Sequence, residues 1–215
     1  MSIILAAALA LLPARAEEPP IVVGAVITQS GNLADLAADL RKSLLLWQEE
    51  ANAAGGLLGR RVELRLLDDR SEAAASGTLY ERLIREEGAD LLIGPLGSAA
   101  TLAAASTAER NRRVLVNATG SARATQKAGY RHVFQVPAPF AAYGTGVLEI
   151  ARRMDYRRMM ILARDDPASR EMAARLREDA AAAGLQAGEI EVYASGQTDF
   201  SAQIARARSS GAQAW

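Results

Sequence analysis

The segment Ile21 to Thr28 constrains the fold most, because it is almost uninterruptedly apolar. A strand with one wet face alternates apolar and polar residues, whereas a strand covered on both faces needs no polar position. The segment therefore predicts a central strand of a parallel sheet. Apolar strand patterns then alternate with amphipathic helix patterns along the chain, which favours an α/β fold with right-handed crossovers and a doubly wound parallel sheet.

A long helix is predicted directly after this strand. Its apolar residues recur at three- and four-residue spacing, so they should line one buried face. They are Leu33, Leu36, Leu40, Leu44, Trp47 and Ala51. Gly55-Gly56 should end the helix. The next strand alternates Val62, Leu64 and Leu66 with charged residues, as strands at or near a sheet edge do, and Asp68-Asp69 behind it is predicted to be a turn and cap element.

The segment Leu91 to Thr101 predicts a buried strand, a tight turn and a helix. Gly94 and Gly97 allow a sharp turn and a close approach of a ligand to the backbone. Ser98 is predicted at the N-cap, where a hydroxyl and the unpaired amides of the first turn favour a carboxylate or a phosphate. The alternative is that Ser98 only caps its helix.

Three polar turns follow predicted strands, at residues 29–32, 94–98 and 117–121. In doubly wound sheets, ligands bind beyond the carboxyl ends of the strands, and a strand order of 2-1-3-4 would make these turns neighbours. They supply hydroxyls, glycines and amides, but no carboxylate pair, lysine or metal-ligand cluster. The turns therefore predict binding without catalysis: no catalytic residue, no metal and no cofactor.

Charge and composition disfavour several functional classes. The 25 basic and 25 acidic residues give a formal net charge of zero, so nothing indicates a nucleic-acid partner or an anionic membrane surface. The chain has no cysteine, which excludes disulfides, thiol catalysis and cysteine-ligated zinc. The single histidine, His132, lies in an apolar segment and is predicted to be structural, so a histidine-dependent catalytic triad has no good candidate.

Residues 1–16 are predicted to be a secretory signal peptide. An apolar run from Ile3 to Leu12 ends at Pro13, and Ala14-Arg15-Ala16 is a small-x-small cleavage pattern. No Lys or Arg precedes the apolar run, which indicates a truncated or misplaced start; a buried core helix is the alternative. No later stretch approaches the about 20 apolar residues that span a bilayer. Export to the periplasm is expected.

Pro137-Ala138-Pro139 is a stiff, extended segment that predicts a hinge between two lobes. The predicted domains are a first α/β lobe at residues 17–137 and the start of a second at residues 138–215. The second lobe is predicted to contain, in order, a helix at 143–153, a strand at 159–162, a helix at 170–183, a strand near 190–193 and a helix capped by Thr198 or Asp199. A further strand begins at Gly211, so the chain is expected to be a fragment with an incomplete second lobe; a short terminal strand is the alternative.

This combination resembles the substrate-binding proteins of branched-chain amino acid (Leu/Ile/Val type) ABC transporters, in the type I periplasmic binding protein family. The resemblance covers residues 21–215 and depends on the order and spacing of several segments. They are Ser30-Gly31, Asn52 to Gly59, Asp68-Asp69, Gly94 to Ser98 and Asp199 to Ser201. The resemblance implies a two-lobed fold that closes on a ligand and performs no chemistry.

The resemblance also implies a set of ligand-binding residues. They are Ser98, Thr119, Ser121, Gly97 and Gly120. Ser98 would bind the ligand carboxylate, Thr119 would offer its backbone carbonyl to an ammonium group, and Ser121 would offer a hydroxyl and an amide. Leu36 and Ala168 stand where family members often place aromatic ligand contacts. The acidic residue that completes the ammonium site in the family would lie beyond Trp215.

The predicted function is that of an exported solute-binding protein. It would capture an amino acid or a related small carboxylate between two lobes and deliver it to the permease subunits of an ABC transporter. A monomer with no nucleic-acid partner is expected. A hydrophobic or aromatic amino acid and a carboxylate without an amine both remain open as ligands. A ligand-sensing domain of a receptor or regulator is the alternative, and an α/β enzyme is disfavoured because no nucleophile and base pair or phosphate loop is present.

Overall fold

The computed structural model describes residues 18–215, so the predicted signal peptide lies outside the described residues. The fold is α/β, with two parallel sheets of order β2-β1-β3-β4-β5 and β6-β7. The strands are β1 (Ile21–Val26), β2 (Val62–Leu67), β3 (Leu91–Ile93), β4 (Val114–Asn117), β5 (Val133–Gln135), β6 (Arg158–Arg164) and β7 (Gln186–Tyr193). We call β1 to β5 with their helices the first lobe, and the elements from residue 140 onward the second lobe.

Seven α-helices lie within the described residues. They are α1 (Ala34–Ala53), α2 (Ser76–Arg85), α3 (Ser98–Arg110), α4 (Arg123–Lys127), α5 (Thr145–Arg153), α6 (Pro167–Ala182) and α7 (Ser201–Ser209). Two 3-10 helices, Ala73–Ala75 and Phe140–Gly144, precede α2 and α5. No helix among residues 18–215 has both the length and the apolar character needed to cross a bilayer.

Strand β1 lies inside the first sheet, as its apolar sequence predicts. It pairs in parallel with β2 on one side and β3 on the other. Val23, Ala25 and Val26 on it are at most 2% exposed. Strand β2, with its alternating charges, lies at the edge, which confirms that prediction too. The two faces of a central strand are both covered, so an alternating pattern there would bury charge at a cost of several kcal/mol.

Helices cover the first sheet on both faces. Tyr80 and Leu83 of α2 pack with Leu92 and Leu115 of the sheet and with the alanines of α3. On the other face, α1 packs Ala37 and Leu44 against Ala25. The buried Tyr80 hydroxyl donates to the Ile93 carbonyl and accepts from the Val26 amide, so it fixes α2 to two strands. Burial raises the pKa of Tyr80, which keeps this hydroxyl protonated.

Several predictions about helices are wrong in detail. Phe200 is the N-cap of α7, in place of the predicted Thr198 or Asp199, and no side chain caps that helix. Leu36 is 66% exposed, and the buried face of α1 uses Ala37 instead. Both positions fit a helical period counted back from Leu40, and the smaller side chain allows closer packing. Helix α6 begins at Pro167, three residues before the predicted start, because Asp166 caps it by accepting a hydrogen bond from the Ser169 amide. An Asp-Pro pair is a helix-start signal that hydrophobic periodicity does not contain.

The second lobe has a core of its own. Met159 and Ile161 of β6 pack with Leu176 of α6 and Ala151 of α5. The predicted strand at the chain end is present as a parallel bridge between Met159 and Ala214, supported by a 2.9 Å hydrogen bond from the Met160 amide to the Ala214 carbonyl. The lobe boundary at residue 137 and the hinge remain predictions.

Candidate ligand-binding site

The strand order places the carboxyl ends of β1, β3 and β4 side by side. The turns after β3 and β4 are in direct contact, beginning with a 2.8 Å hydrogen bond from the Gly94 amide to the Val116 carbonyl. A Cβ at Gly94 would lie 3.1 Å from the Cα of Asn117, so glycine allows this close approach. The residues that the sequence singled out in these two turns are therefore neighbours.

Ser98 is not the N-cap of α3, contrary to the prediction. Gly97 takes that position with φ 83° and ψ 160°, a conformation nearly restricted to glycine, and no side chain caps the helix. Ser98 is the first helical residue. Its buried hydroxyl oxygen accepts hydrogen bonds from the amides of Ser121 and Ala122, each at 3.1 Å. The hydroxyl thus joins the two turns and does not only close its own helix.

The hydrogen-bonding capacity left at this point consists of donors. The two amides occupy both acceptor positions of the Ser98 hydroxyl, and its proton has no acceptor among residues 18–215. The amides of Ser98, Ala99 and Ala100 belong to the first turn of α3, where no intrahelical carbonyl reaches them. A hydroxyl and first-turn amides at the positive end of a 13-residue helix favour an anion.

Thr119 connects the same two turns through its side chain. Its hydroxyl accepts from the Gly97 amide at 3.2 Å and donates to the Pro95 carbonyl. The side chain therefore joins the two turns, and its one proton is already donated. The family resemblance implies the backbone carbonyl of Thr119 as the ligand contact, and that role stays a prediction.

Asn117 organises the turn after β4, and the sequence did not mark it as a functional residue. Its fully buried side chain donates to the Gly120 carbonyl at 2.6 Å and accepts from the Gly120 amide at 2.8 Å. An asparagine that ends a strand and precedes Ala-Thr-Gly is a signal for such a turn, because its side chain mimics a backbone group. The turn is thus fixed before any ligand arrives.

Ser121 differs from its implied role in one respect. Its amide is already donated to Ser98, so in this structure the amide is not free for a ligand. Its half-buried hydroxyl has no hydrogen-bond partner within residues 18–215. The two serines therefore present one hydroxyl proton each, and both belong to the same pair of turns.

The turn after β1 is held by the two aspartates, which confirms that Asp68-Asp69 is a turn element. Asp68 accepts from the Gln29 amide at 2.8 Å and the Ser30 hydroxyl at 2.6 Å, and buried Asp69 accepts from the Thr28 hydroxyl at 2.7 Å. Burial acts to raise the pKa of Asp68, but hydrogen bonds from Ser30, Gln29 and Arg70 together lower it to about 2. Both carboxylates are used structurally.

His132 lies away from these turns, since it precedes β5 at the opposite edge of the sheet. Its Nδ1 lies 3.1 Å from Glu109, which also accepts the amides of Arg131 and His132. The His132 amide and, to a lesser degree, the Arg131 amide lower the pKa of Glu109. Among residues 18–215, no group of three or more acidic or histidine side chains is placed to hold a metal ion.

The fold and the strand-end site define the class of this protein. It has the two-lobed type I periplasmic-binding-protein fold, with parallel sheets and polar turns at the carboxyl ends of the strands. A sequence profile described as "periplasmic binding protein" matches residues 20–215, so the chain belongs to this solute-binding family.

Solved structures share the fold at low sequence identity. The leucine-binding protein LivK from Thermotoga maritima superposes with a TM-score of 0.81 and 24% identity, covering 89% of this chain and 54% of its own. A solute-binding protein of an ABC transporter from R. palustris, in complex with benzoate, gives 0.80 and 20%, covering 91% and 55%. At these identities the comparison shows the fold, and the chain spans about half the length of either protein.

A curated relative comes from a sensory system. BasB, the substrate-binding protein of a chemotactic signal transduction system in Halobacterium salinarum, is 30% identical over 112 residues. The match covers 51% of this chain and 27% of BasB. The proteins similar to this chain therefore include a substrate-binding protein of signal transduction as well as solute-binding proteins of ABC transporters.

Proposed function

We propose that this chain belongs to an exported solute-binding protein that captures an amino acid or a related small carboxylate between its lobes and delivers it to an ABC transporter. The observation that carries the proposal is the Ser98 hydroxyl, which accepts the amides of Ser121 and Ala122 and keeps its own proton available. That proton lies beside the first-turn amides of α3. Together these groups are complementary to a carboxylate and need no arginine.

The chemistry of the site supports binding without catalysis. The proposed ligand-binding residues are Ser98, Thr119, Ser121, Gly97 and Gly120. Asp68 and Asp69, the carboxylates that follow β2, are occupied by hydrogen bonds to the end of β1 and the turn after it. A reaction would need a group that gives and takes a proton, and these hydroxyls have no base beside them. We therefore propose no enzymatic activity. We also propose a periplasmic location and a monomeric state, as the resemblance to periplasmic binding proteins implies.

The ligands of two structural neighbours support the proposed ligand class. Leucine and benzoate, the ligands named for two neighbours, both carry a carboxylate, and only leucine carries an ammonium group. The Thr119 carbonyl could accept from an ammonium group, whereas the donors at Ser98 serve either ligand. Exposed Leu36 lies in the first turn of α1, which starts at the ligand-binding edge of the sheet, and it would contact an apolar side chain.

Sensing is the second candidate function, favoured by the similarity to BasB. Deleting the gene and measuring both uptake of the labelled ligand and the behavioural or transcriptional response to it separates the two. Loss of uptake supports delivery to a transporter, whereas normal uptake with a lost response supports a receptor.

Titration calorimetry of the protein with a panel of amino acids and organic acids, including leucine and benzoate, tests the site. We expect Ser121→Ala to weaken binding about tenfold, since a hydrogen bond to a charged group contributes about 1.5 to 3 kcal/mol. The unfolding midpoint should not change, because the Ser121 hydroxyl has no hydrogen-bond partner within residues 18–215. Ser106→Ala, in the second half of the same helix α3, is the matched control and should leave binding unaltered.

Ser98→Ala should lower both the affinity for the ligand and the unfolding midpoint. It removes the donor to the ligand and also leaves the Ser121 and Ala122 amides without their acceptor, which costs about 1 to 3 kcal/mol of folding free energy. The proposal fails if the wild-type protein binds no member of the panel, or if both serine variants bind as tightly as the wild type.

A further inference from the structure

Glu171 reaches from the second lobe to the first. It lies on α6, and its carboxylate accepts hydrogen bonds from the amides of Arg123 at 2.7 Å and Ala124 at 3.1 Å. These two residues begin α4, whose first-turn amides have no intrahelical acceptor and whose N-cap, Ala122, has no polar side chain. A carboxylate at a helix N-terminus is favoured by both the hydrogen bonds and the helix dipole.

The amides that Glu171 binds continue directly from those at the candidate site. Four consecutive amides, from Ser121 to Ala124, point to two acceptors: the first two to the Ser98 hydroxyl and the last two to Glu171. The Ser121 carbonyl also accepts the amide of Phe140, which begins the first element of the second lobe, at 3.0 Å. The segment Ser121 to Ala124 is therefore held by both lobes at once.

Glu171 is carried by a well-anchored helix. The Asp166 side chain caps α6 by accepting from the amide of Ser169 at 3.0 Å and its hydroxyl at 2.7 Å. One turn beyond Glu171, Leu176 packs in the core of the second lobe. A shift of the second lobe therefore moves the carboxylate with it and pulls on the segment that positions Ser121.

We propose that Glu171 is a positioning residue that ties the second lobe to the segment Ser121 to Ala124, and so couples the relative position of the lobes to the hydrogen-bond donors of the candidate site. Glu171 acts through this segment and does not touch the ligand. The contact of Glu171 with this segment exists without a ligand, whereas its effect on ligand binding rests on the proposed function.

Distances between the lobes test directly whether Glu171 holds the second lobe to the segment Ser121 to Ala124. The chain contains no cysteine, so Ser43→Cys on α1 and Ala181→Cys on α6, both exposed, give two unique spin-label positions. Double electron–electron resonance on the ligand-free protein should show a broader and displaced distance distribution in Glu171→Ala. Glu171→Gln keeps one acceptor oxygen, so its distribution should lie between those of the wild type and Glu171→Ala. Glu178→Ala, an exposed carboxylate on the same helix, is the matched control and should match the wild type.

The proposal is overturned if the Glu171→Ala distribution equals that of the wild type, or if Glu178→Ala changes it as much. Should Glu171→Ala fail to fold, the Glu171→Gln distribution decides in the same way. A second measurement, the affinity for leucine or benzoate, should weaken about tenfold in Glu171→Ala, because the Ser121 hydroxyl is no longer held in place to donate its hydrogen bond to the ligand. If the interlobe distances change in Glu171→Ala but the affinity does not, the coupling to the site is overturned. If the wild-type protein binds neither ligand, the proposed function is refuted, and the distances alone then show whether Glu171 holds the lobes together.

Discussion

At Gly120 the backbone of the candidate site lies directly against helix α3. A Cβ there would be 2.4 Å from the hydroxyl oxygen of Thr101, which is fully buried and bonded to the Gly97 carbonyl at 2.8 Å. Thr101 therefore has no room to turn away. We expect Gly120→Ala to lower the free energy of unfolding by about 1 to 3 kcal/mol, the usual cost of overpacking, as measured by chemical denaturation.

Gly146 provides the control for this substitution. It lies in α5, and a Cβ there would have no neighbouring heavy atom within 4 Å. Gly146→Ala should therefore stabilise the protein by about 0.5 to 1 kcal/mol, because alanine has the higher helix propensity. If Gly120→Ala did not lower the free energy of unfolding, the turn after β4 would not be packed tightly against α3. The turn would then not be fixed before a ligand binds.

At the scale of elements, Asp68 joins the end of β2 to the turn after β1, and the hydrogen bonds that it accepts favour its ionised form. Its pKa in the folded protein is about 2, below the ordinary value of 3.8. A lowered pKa contributes stability above the ordinary value, and this contribution is lost as the pH falls through the folded value. We expect Asp68→Asn to be destabilising at pH 7, with a difference from wild type that shrinks between about pH 4 and pH 2.

Thermal unfolding of both proteins across this pH range checks the prediction. Asp39→Asn is the control, because the Asp39 side chain is 91% exposed and only contacts Lys42 and its own helix. A destabilisation by Asp68→Asn that stays constant down to pH 2 would mean that the charge of Asp68 does not contribute, and that its oxygen geometry alone matters.

Sequence patterns predict an element well where burial determines its structure. They predict it poorly where local backbone geometry determines the exact start of a helix or the residues of its buried face. The segment Ile21 to Thr28 could only be a central strand, because both of its faces are apolar. The start of α3 was missed by one residue, since Ser98 and Gly97 are both acceptable caps and only the positive φ of Gly97 separates them. Leu36 was misplaced because two neighbouring positions satisfy the same helical period.

For the whole molecule, the strand order explains why the site residues come together. Placing β3 next to β4 brings Ser98, Thr119 and Ser121 into one hydrogen-bonded unit, as the predicted topology requires. Their roles toward a ligand stay a prediction. The contact of Glu171 could not be predicted from sequence, because it depends on where a helix of one lobe lies relative to a turn of the other.

Separate cores in the two lobes lead to a prediction about unfolding. Leu92 packs in the first lobe and Leu176 in the second, in clusters that share no residue. Each leucine-to-alanine substitution should cost about 2 to 5 kcal/mol, and the loss should be confined to one lobe because proteins open in local cooperative units. Hydrogen exchange read by mass spectrometry should show faster exchange in β1 and β4 for Leu92→Ala, and in β6 for Leu176→Ala.

The hydrogen bonds that Glu171 and Phe140 make between the lobes should transmit little of this loss. Glu171 contributes two hydrogen bonds and Phe140 one, against the buried apolar clusters within each lobe. Exchange that accelerates equally in both lobes for either leucine variant would show a single cooperative unit. That result would contradict the proposed division into residues 17–137 and 138–215, and with it the idea that two independently stable bodies close on a ligand.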